Sequence, residues 1–330
     1  MNIVFFSSKP YDKTFFASAN QSFHYQLRFL DPRLTIDTAG LVDKGDVVCA
    51  FVNDVLDKPV LELLKENEVS LIALRSAGYN NVDLQAAKTL GINIVNVPAY
   101  SPNAVAEHTI CLMLALNRKI YRAYSRIREG NFSLDGLLGF DFNQRTAGII
   151  GTGKIGQIVS RILTAFGMQV IAYDPVENKE CIQQGVHYVS LDTLYQRADI
   201  ISLHCPLTPQ TKHMINQAAL EKMKQNVMII NTSRGAVLDT CAIIDALKAK
   251  KIGYLGLDVY EQESELFFED MSCEIIQDDI FERLLTFHNV LVTAHQGFFT
   301  SNALDNIATT TLNNIKEFEL GKPLTNVLTA

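Results

Sequence analysis

One stretch constrains this chain more than any other: the run from Ala147 to Phe166, AGIIGTGKIGQIVSRILTAF. A short apolar run ends in Gly151-Thr152-Gly153-Lys154-Ile155-Gly156, and a segment of helical period follows. Glycines spaced G-x-G-x-x-G between a strand and a helix permit a tight turn, a close backbone approach and close helix–strand packing, in that order. The helix that opens there offers unpaired N–H groups and the positive end of its dipole to an anion such as a pyrophosphate. Asp174 closes the next apolar run, Gln169–Tyr173, at about the 20-residue distance where a carboxylate meets the ribose hydroxyls of a dinucleotide. Pro175 follows it, and no arginine stands beside it to hold a 2′-phosphate, so the pattern is read as an NAD site. A glycine turn alone also occurs as plain packing. The strand, the helix and the acid together carry the reading.

Elsewhere the chain alternates short apolar runs with amphipathic ones, the mark of parallel βαβ units. Asn2–Ser7, Asp46–Val52, Leu71–Leu74 and Asn93–Asn96 read as strands. Val60–Glu66 and Leu84–Leu90 read as helices, the second stopped by Gly91. Pro98 and Pro102 then mark a boundary, with Ser101 as N-cap and Pro102 in the first helical position. One long helix is predicted from Asn103 to about Arg128, buried around Ile110–Leu116. From Thr146 a second α/β run begins. Its strands are Ala147–Ile150, Gln169–Tyr173, Ile200–His204, Val227–Asn231, Gly253–Val259 and Val290–Thr293. Its helices are Gly156–Phe166, Leu191–Arg197, Gln217–Met223 and Ala242–Lys248. A last helix, Ser301–Glu319, is expected to return to the first domain. The expectation is α/β with two doubly wound parallel-sheet domains: residues 1–100 with 299–330, and residues 101–298.

The net charge of −7 and scattered basic residues speak against a nucleic-acid partner. Six cysteines stand far apart, without the spacing of a zinc site, and read as reduced thiols. The first residues, MNIVFFSSKPYDK, read as a strand and not a signal peptide. No apolar stretch reaches the roughly 18 residues of a membrane span. A cytoplasmic enzyme without metal is expected.

Three later segments follow strand-like runs: Asn231-Thr232-Ser233-Arg234-Gly235, Asp258-Val259-Tyr260-Glu261-Gln262-Glu263 and Ala294-His295-Gln296-Gly297-Phe298. In an open parallel sheet ligands gather outside the carboxyl ends of the strands, so these segments can share a crevice. Reduction of a 2-oxo acid needs a proton donor at the carbonyl oxygen, and histidine titrates near neutrality. It needs a carboxylate to orient that histidine, and a planar cation for the substrate carboxylate. His295, Glu263 and Arg234 match these needs. Singly, each also has an ordinary structural reading. The combination behind a nucleotide loop favours chemistry.

With these residues in view, the chain resembles the NAD-dependent D-2-hydroxyacid dehydrogenases, and within them the D-lactate branch. The resemblance runs over essentially the whole chain. It is carried by Ala73–Asp83 (ALRSAGYNNVD), Val97–Pro102 (VPAYSP), Gly151–Gly156, His204–Pro209 (HCPLTP), Asn231–Gly235, Asp258–Glu263 and His295–Phe299. It implies a flavodoxin-like substrate domain and a Rossmann-like NAD domain with the active cleft between them, and a homodimer or homotetramer. It implies that Arg234 binds the substrate carboxylate, His295 exchanges the proton and Glu263 pairs with it. Ala77 and Gly78 would cradle the carboxylate with backbone N–H groups. Thr152, Lys154 and Ile155 would lie at the pyrophosphate; Cys205, Pro206 and Thr211 would flank the adenosine half; Thr232, Ser233 and Asp258 would face the nicotinamide. Tyr100, Phe298 and Phe51 would line the substrate pocket. The implied reaction is reversible reduction of pyruvate to D-lactate. The insert Glu265–Asp270 resembles the D-lactate branch. A larger 2-oxo acid is the first alternative, and an NAD(H)-sensing corepressor of the same fold is the second.

Overall fold

The computed structural model describes residues 1–263 and 266–329. It divides into two compact units, Met1–Ser101 with Phe299–Ala330, and Pro102–Phe298.

The first unit runs β1 (Asn2–Phe5), α1 (Pro10–Asn20), β2 (Gln26–Phe29), β3 (Val47–Ala50), α2 (Lys58–Glu66), β4 (Leu71–Leu74), α3 (Leu84–Leu90) and β5 (Asn93–Val95). The strands pair in parallel in the order β2-β1-β3-β4-β5. The order reverses between β1 and β3, the topological switch point of such a sheet. β3 (VVCA) and β4 (LIAL) are wholly buried, which is why they read as unbroken apolar runs and not as alternating ones. Asp57 and Asp83 cap α2 and α3 through Val60 N and Ala86 N. Gly91, at φ 66°, ends α3 in the left-handed conformation. The C-terminal helix Ser301–Glu319 belongs to this unit: it packs on α1, and Asn314 Nδ2 donates to Asn96 O at 2.9 Å. Val327 then bridges to Val95 in antiparallel fashion.

The second unit opens with α4 (Pro102–Arg118) and α5 (Ile120–Arg128). The single helix expected from Asn103 to Arg128 is therefore broken. The break falls at Lys119, whose φ of 50° and ψ of 41° are left-handed. A returning segment explains it. Asn117 pairs with Phe140 through both amide atoms, at 2.7 and 2.9 Å, and the Lys119 ammonium bonds Leu138 O. Within Ile110–Leu116, Ile110, Leu112, Met113 and Leu116 are buried, whereas Cys111 is exposed.

There follow β6 (Thr146–Ile150), α6 (Lys154–Ala165), β7 (Gln169–Tyr173), α7 (Lys179–Gln183), β8 (His187–Tyr188), α8 (Leu191–Arg197), β9 (Ile200–Leu203) and α9 (Gln217–Lys222). The unit closes with β10 (Val227–Asn231), α10 (Thr240–Lys248), β11 (Ile252–Leu257), α11 (Asp279–Leu285) and β12 (Val290–Val292). All seven strands are parallel, in the order β12-β11-β10-β9-β6-β7-β8. The order reverses at β6, whose carboxyl end carries the glycine loop. No described helix is long and apolar enough to cross a membrane.

Candidate active site

The glycine loop differs in character at each glycine. Gly151 has φ +92°, and a Cβ there would lie 2.6 Å from Cys205 N and His204 C. A Cβ on Gly156 would lie 2.0 Å from Gly151 O. Both positions therefore exclude a side chain. Gly153 is the opposite case: a Cβ there meets nothing within 4 Å. The open space stands at the N-terminus of α6, and a side chain would fill it; a pyrophosphate fits there on the helix N–H groups. Asp174 stiffens the loop: its Oδ2 accepts from Thr152 N at 2.7 Å and from Thr152 Oγ1 at 3.2 Å. Asn178 Nδ2 and the Tyr188 hydroxyl also donate to Thr152, at 2.9 and 2.8 Å. Thr152 is thereby buried, while Lys154 and Pro175 are exposed and Ile155 half-buried. Cys205 lines the far side of the turn. Burial pushes its thiol up to about 11, so it is no nucleophile near neutrality. Beside it Thr211 Oγ1 donates to Pro206 O at 2.6 Å and closes the turn Pro206–Thr211.

Arg234, Glu263 and His295 follow β10, β11 and β12, three adjacent strands of one sheet. The Glu263 carboxylate takes the His295 ring at Nδ1, 2.8 Å away, through Oε1. Its Oε2 accepts from Tyr260 N at 2.9 Å, so the glutamate is fixed at both oxygens. A carboxylate on Nδ1 holds the proton on that nitrogen and leaves Nε2 to exchange one. Among the described residues Nε2 has no hydrogen-bond partner. Arg234 stands in extended backbone. Its Nη1 donates to Ser233 O at 2.7 Å, and the rest of the fork is unpaired among the described residues. The turn beneath it is tied by Asn231: Nδ2 donates to Arg234 O, and Oδ1 accepts from Ser233 N and Oγ. Gly235 presses on the neighbouring loop so closely that a Cβ would sit 2.0 Å from Tyr260 C. The Arg234 turn and the Glu263 loop therefore hold each other's register.

Residues 110–297 match the model of the D-isomer specific 2-hydroxyacid dehydrogenase, NAD binding domain. The D-lactate dehydrogenase of Escherichia coli K12 is 54% identical over 328 residues, covering 99% of this chain and 100% of that protein. This chain belongs to the D-isomer specific 2-hydroxyacid dehydrogenases. Among solved structures, the apo D-lactate dehydrogenase of E. coli superposes with a TM-score of 0.92 at 51% identity, covering 100% of both chains. That of Aquifex aeolicus, complexed with NAD and lactic acid, gives 0.89 at 34% identity, covering 100% of this chain and 99% of that one. The fold and the enzyme class expected from the sequence are both supported by these relatives, as is NAD as the cofactor.

The remaining expected residues of the second unit also make contacts within it. The Asp258 carboxylate, expected at the nicotinamide, is buried and grips the loop that bears His295. It accepts from Thr293 Oγ1 at 2.6 Å, Gln296 N at 2.9 Å and Gly297 N at 2.9 Å, with His108 Nε2 at 3.2 Å. Burial would raise this carboxyl, but the hydrogen bonds from His108 and Thr293 outweigh it and hold it below the ordinary range. His295 itself has φ 53°, an uncommon conformation for a side-chain-bearing residue; the Asp258 grip holds it there. Thr232 Oγ1 meets Thr109 Oγ1 at 2.9 Å. Phe298 is buried.

In the first unit, Ser76 Oγ bonds Gly78 O and Asn96 Nδ2 bonds Ala77 O, at 2.8 and 2.9 Å. The N–H groups of Ala77 and Gly78 have no acceptor among the described residues. Tyr100 is half-buried, and its carbonyl accepts from Asn306 Nδ2. The Phe51 ring lies 4.8 Å beneath the Arg75 guanidinium. Of the insert Glu265–Asp270, Glu265 lies outside the described residues. Phe267 is in the core, and Phe268 stands 5.7 Å from the His295 ring. That contact went unread in the sequence, where only the acidic and aromatic composition of the insert was visible.

Proposed function

We propose that this dehydrogenase interconverts pyruvate and D-lactate with NAD. The reading is carried by the His295–Glu263 pair and Arg234, which follow three adjacent strands of the sheet that bears the NAD loop. The two relatives named above, both D-lactate dehydrogenases, support the choice of substrate and hand. NAD held with its pyrophosphate at Gly151–Gly156 would supply a hydride to the carbonyl carbon or take one from the hydroxy acid. Arg234 binds the substrate carboxylate with the bidentate fork that guanidinium offers. Ala77 and Gly78, in the first unit, are proposed as further substrate-binding residues, because their backbone N–H groups are of the kind anion-binding loops use. His295 holds a proton at Nε2 and gives it to the carbonyl oxygen as negative charge grows there; in oxidation the same nitrogen takes it back. Glu263 keeps the ring oriented and stabilises the cation formed in oxidation. Tyr100 in the first unit and Phe298 in the second are each proposed as substrate-binding residues.

The test is NADH oxidation at pH 7 with pyruvate and a panel of larger 2-oxo acids, the product's hand being checked enzymatically. Fastest turnover with pyruvate and D-lactate as product is expected. Preference for a bulkier acid would overturn the substrate and keep the mechanism. NADH binding without any turnover would favour the corepressor reading.

The enzyme is further proposed to be a homodimer or homotetramer in the cytoplasm. Ile120, Tyr124, Ile127, Phe132, Leu134 and Leu138 are all exposed on α5 and the segment after it, and large exposed apolar patches mark interaction surfaces. All six cysteines are unpaired, in keeping with a reducing compartment. Sedimentation analysis should give a species of at least twice the chain mass, and Leu138→Asp should shift it toward monomer. A monomeric wild type would rule the assembly out.

A further inference from the structure

We infer that Asn53 is a substrate-recognising residue of the first unit, its side-chain amide completing the donor set for the carboxylate of the 2-oxo acid. The inference rests on the function proposed above. Two independent observations carry it.

The first is an unpaired amide. Asn53 is 7% exposed, and both Nδ2 and Oδ1 are buried without a partner. Buried polar groups in folded chains are almost always hydrogen-bonded, so an exception asks for a partner outside the chain. The polar side chains that hold its loop, Asp54, Asn81 and Arg75, are engaged elsewhere. Asp54 Oδ1 accepts from Ser7 Oγ at 2.6 Å and Leu34 N at 2.8 Å, and its Oδ2 accepts from Phe51 N at 2.6 Å. Asn81 Nδ2 donates to Phe51 O and Asp54 O, at 2.9 and 2.8 Å. Arg75 donates to Asp12 and to the carbonyls of Phe6 and Ser7. The loop Phe51–Asp54 is thus held from three sides, and the amide it carries is left over. A loose surface asparagine would turn to solvent; this one is 7% exposed and sits on a loop held by its neighbours.

The second observation is where the loop stands. Strands β3 and β4 pair Val48 with Ile72, Cys49 with Ala73 and Ala50 with Leu74. The ladder ends where Arg75 N donates to Ala50 O at 3.1 Å, and beyond it the chain turns at Phe51–Asp54, with Asp54 N donating to Phe51 O at 3.2 Å. Asn81, on the loop that carries Ala77 and Gly78, ties onto that turn through Phe51 O and Asp54 O. Ala77 and Gly78 are the residues whose N–H groups also lack an acceptor. Three donors without partners therefore gather at the carboxyl ends of two adjacent strands, beside the switch point where open α/β sheets bind their ligands. A carboxylate, with about four acceptor sites, matches that set.

The experiment begins with turnover of pyruvate by the wild type; without it, the function proposed above fails and this inference with it. Asn53→Leu, of similar size, should then raise the KM for pyruvate at least tenfold and leave the KM for NADH unchanged. Its Tm should hold or rise, because an unpaired buried amide has been removed. Oxamate, an unreactive pyruvate analogue, should raise the Tm of the wild-type NADH complex and not that of the variant. Asn53→Asp keeps the size and sets a negative charge beside the substrate carboxylate, so its KM should rise further. It also carries the test if the leucine variant fails to fold. Pyruvate KM and oxamate shift like the wild type's in a folded variant would overturn the inference and leave the amide a folding feature alone.

Discussion

Replacing His295 by alanine should lower turnover with pyruvate by about 10²–10⁴-fold, the usual contribution of a positioned general acid. The affinity for NADH should stay within about twofold, because the role proposed for His295 is exercised only as the oxygen gains charge. The expectation follows from the geometry. Glu263 is fixed to Nδ1 by one oxygen and to Tyr260 N by the other. It is therefore committed to orienting the ring and is not free to replace it. Cys205 does not stand in either, since burial keeps its thiol protonated. Glu263→Gln should give a smaller loss, because an amide still reaches Nδ1 but no longer offsets a positive ring. Stopped-flow and fluorescence titration with NADH separate the two quantities. Turnover unchanged in His295→Ala would remove the histidine from the chemistry.

The legibility of this chain follows a physical line. Its buried parallel strands are continuous apolar runs, so Leu71–Leu74 and Gln169–Tyr173 were readable to the residue. α3 was equally clear, because Gly91 stops it in a conformation that glycine adopts freely. What stayed hidden was short or set by distant contacts. β8 has two residues and α7 five, too few to show a period. The break at Lys119 is written in the segment that returns to Asn117 from Phe140, not in the helix itself. The site divides in the same way. Residue type and strand position single out Arg234, Glu263 and His295, and the structure sets them after three adjacent strands with Glu263 on the His295 ring. The grip of Asp258 on the His295 loop, the press of Gly235 on Tyr260 and the unpaired Asn53 amide are properties of packing. No spacing along the chain encodes them.

Packing also sets the size of the second large effect, that of Arg234→Lys. The arginine is presented by a turn with little freedom: Asn231 ties both sides of it, and Gly235 behind it has no room for even a methyl group. A lysine at this position starts from the same Cα, and the turn has no slack to move it. It keeps the charge and loses the planar fork, so at most one of the two parallel bonds proposed to the substrate carboxylate survives. A hydrogen bond to a charged group contributes about 1.5–3 kcal/mol, which corresponds to a fall of roughly 10–150-fold in kcat/KM. Most of it should appear as a higher KM for pyruvate, because the carboxylate is bound in the ground state as well. Some should appear in kcat, because a substrate held at one point is aligned less well for the hydride and the proton. The KM for NADH should not move. If Arg234→Lys instead weakened NADH and left pyruvate untouched, the arginine would belong to the cofactor, and the substrate carboxylate would have to be held by the unpaired donors of the first unit alone.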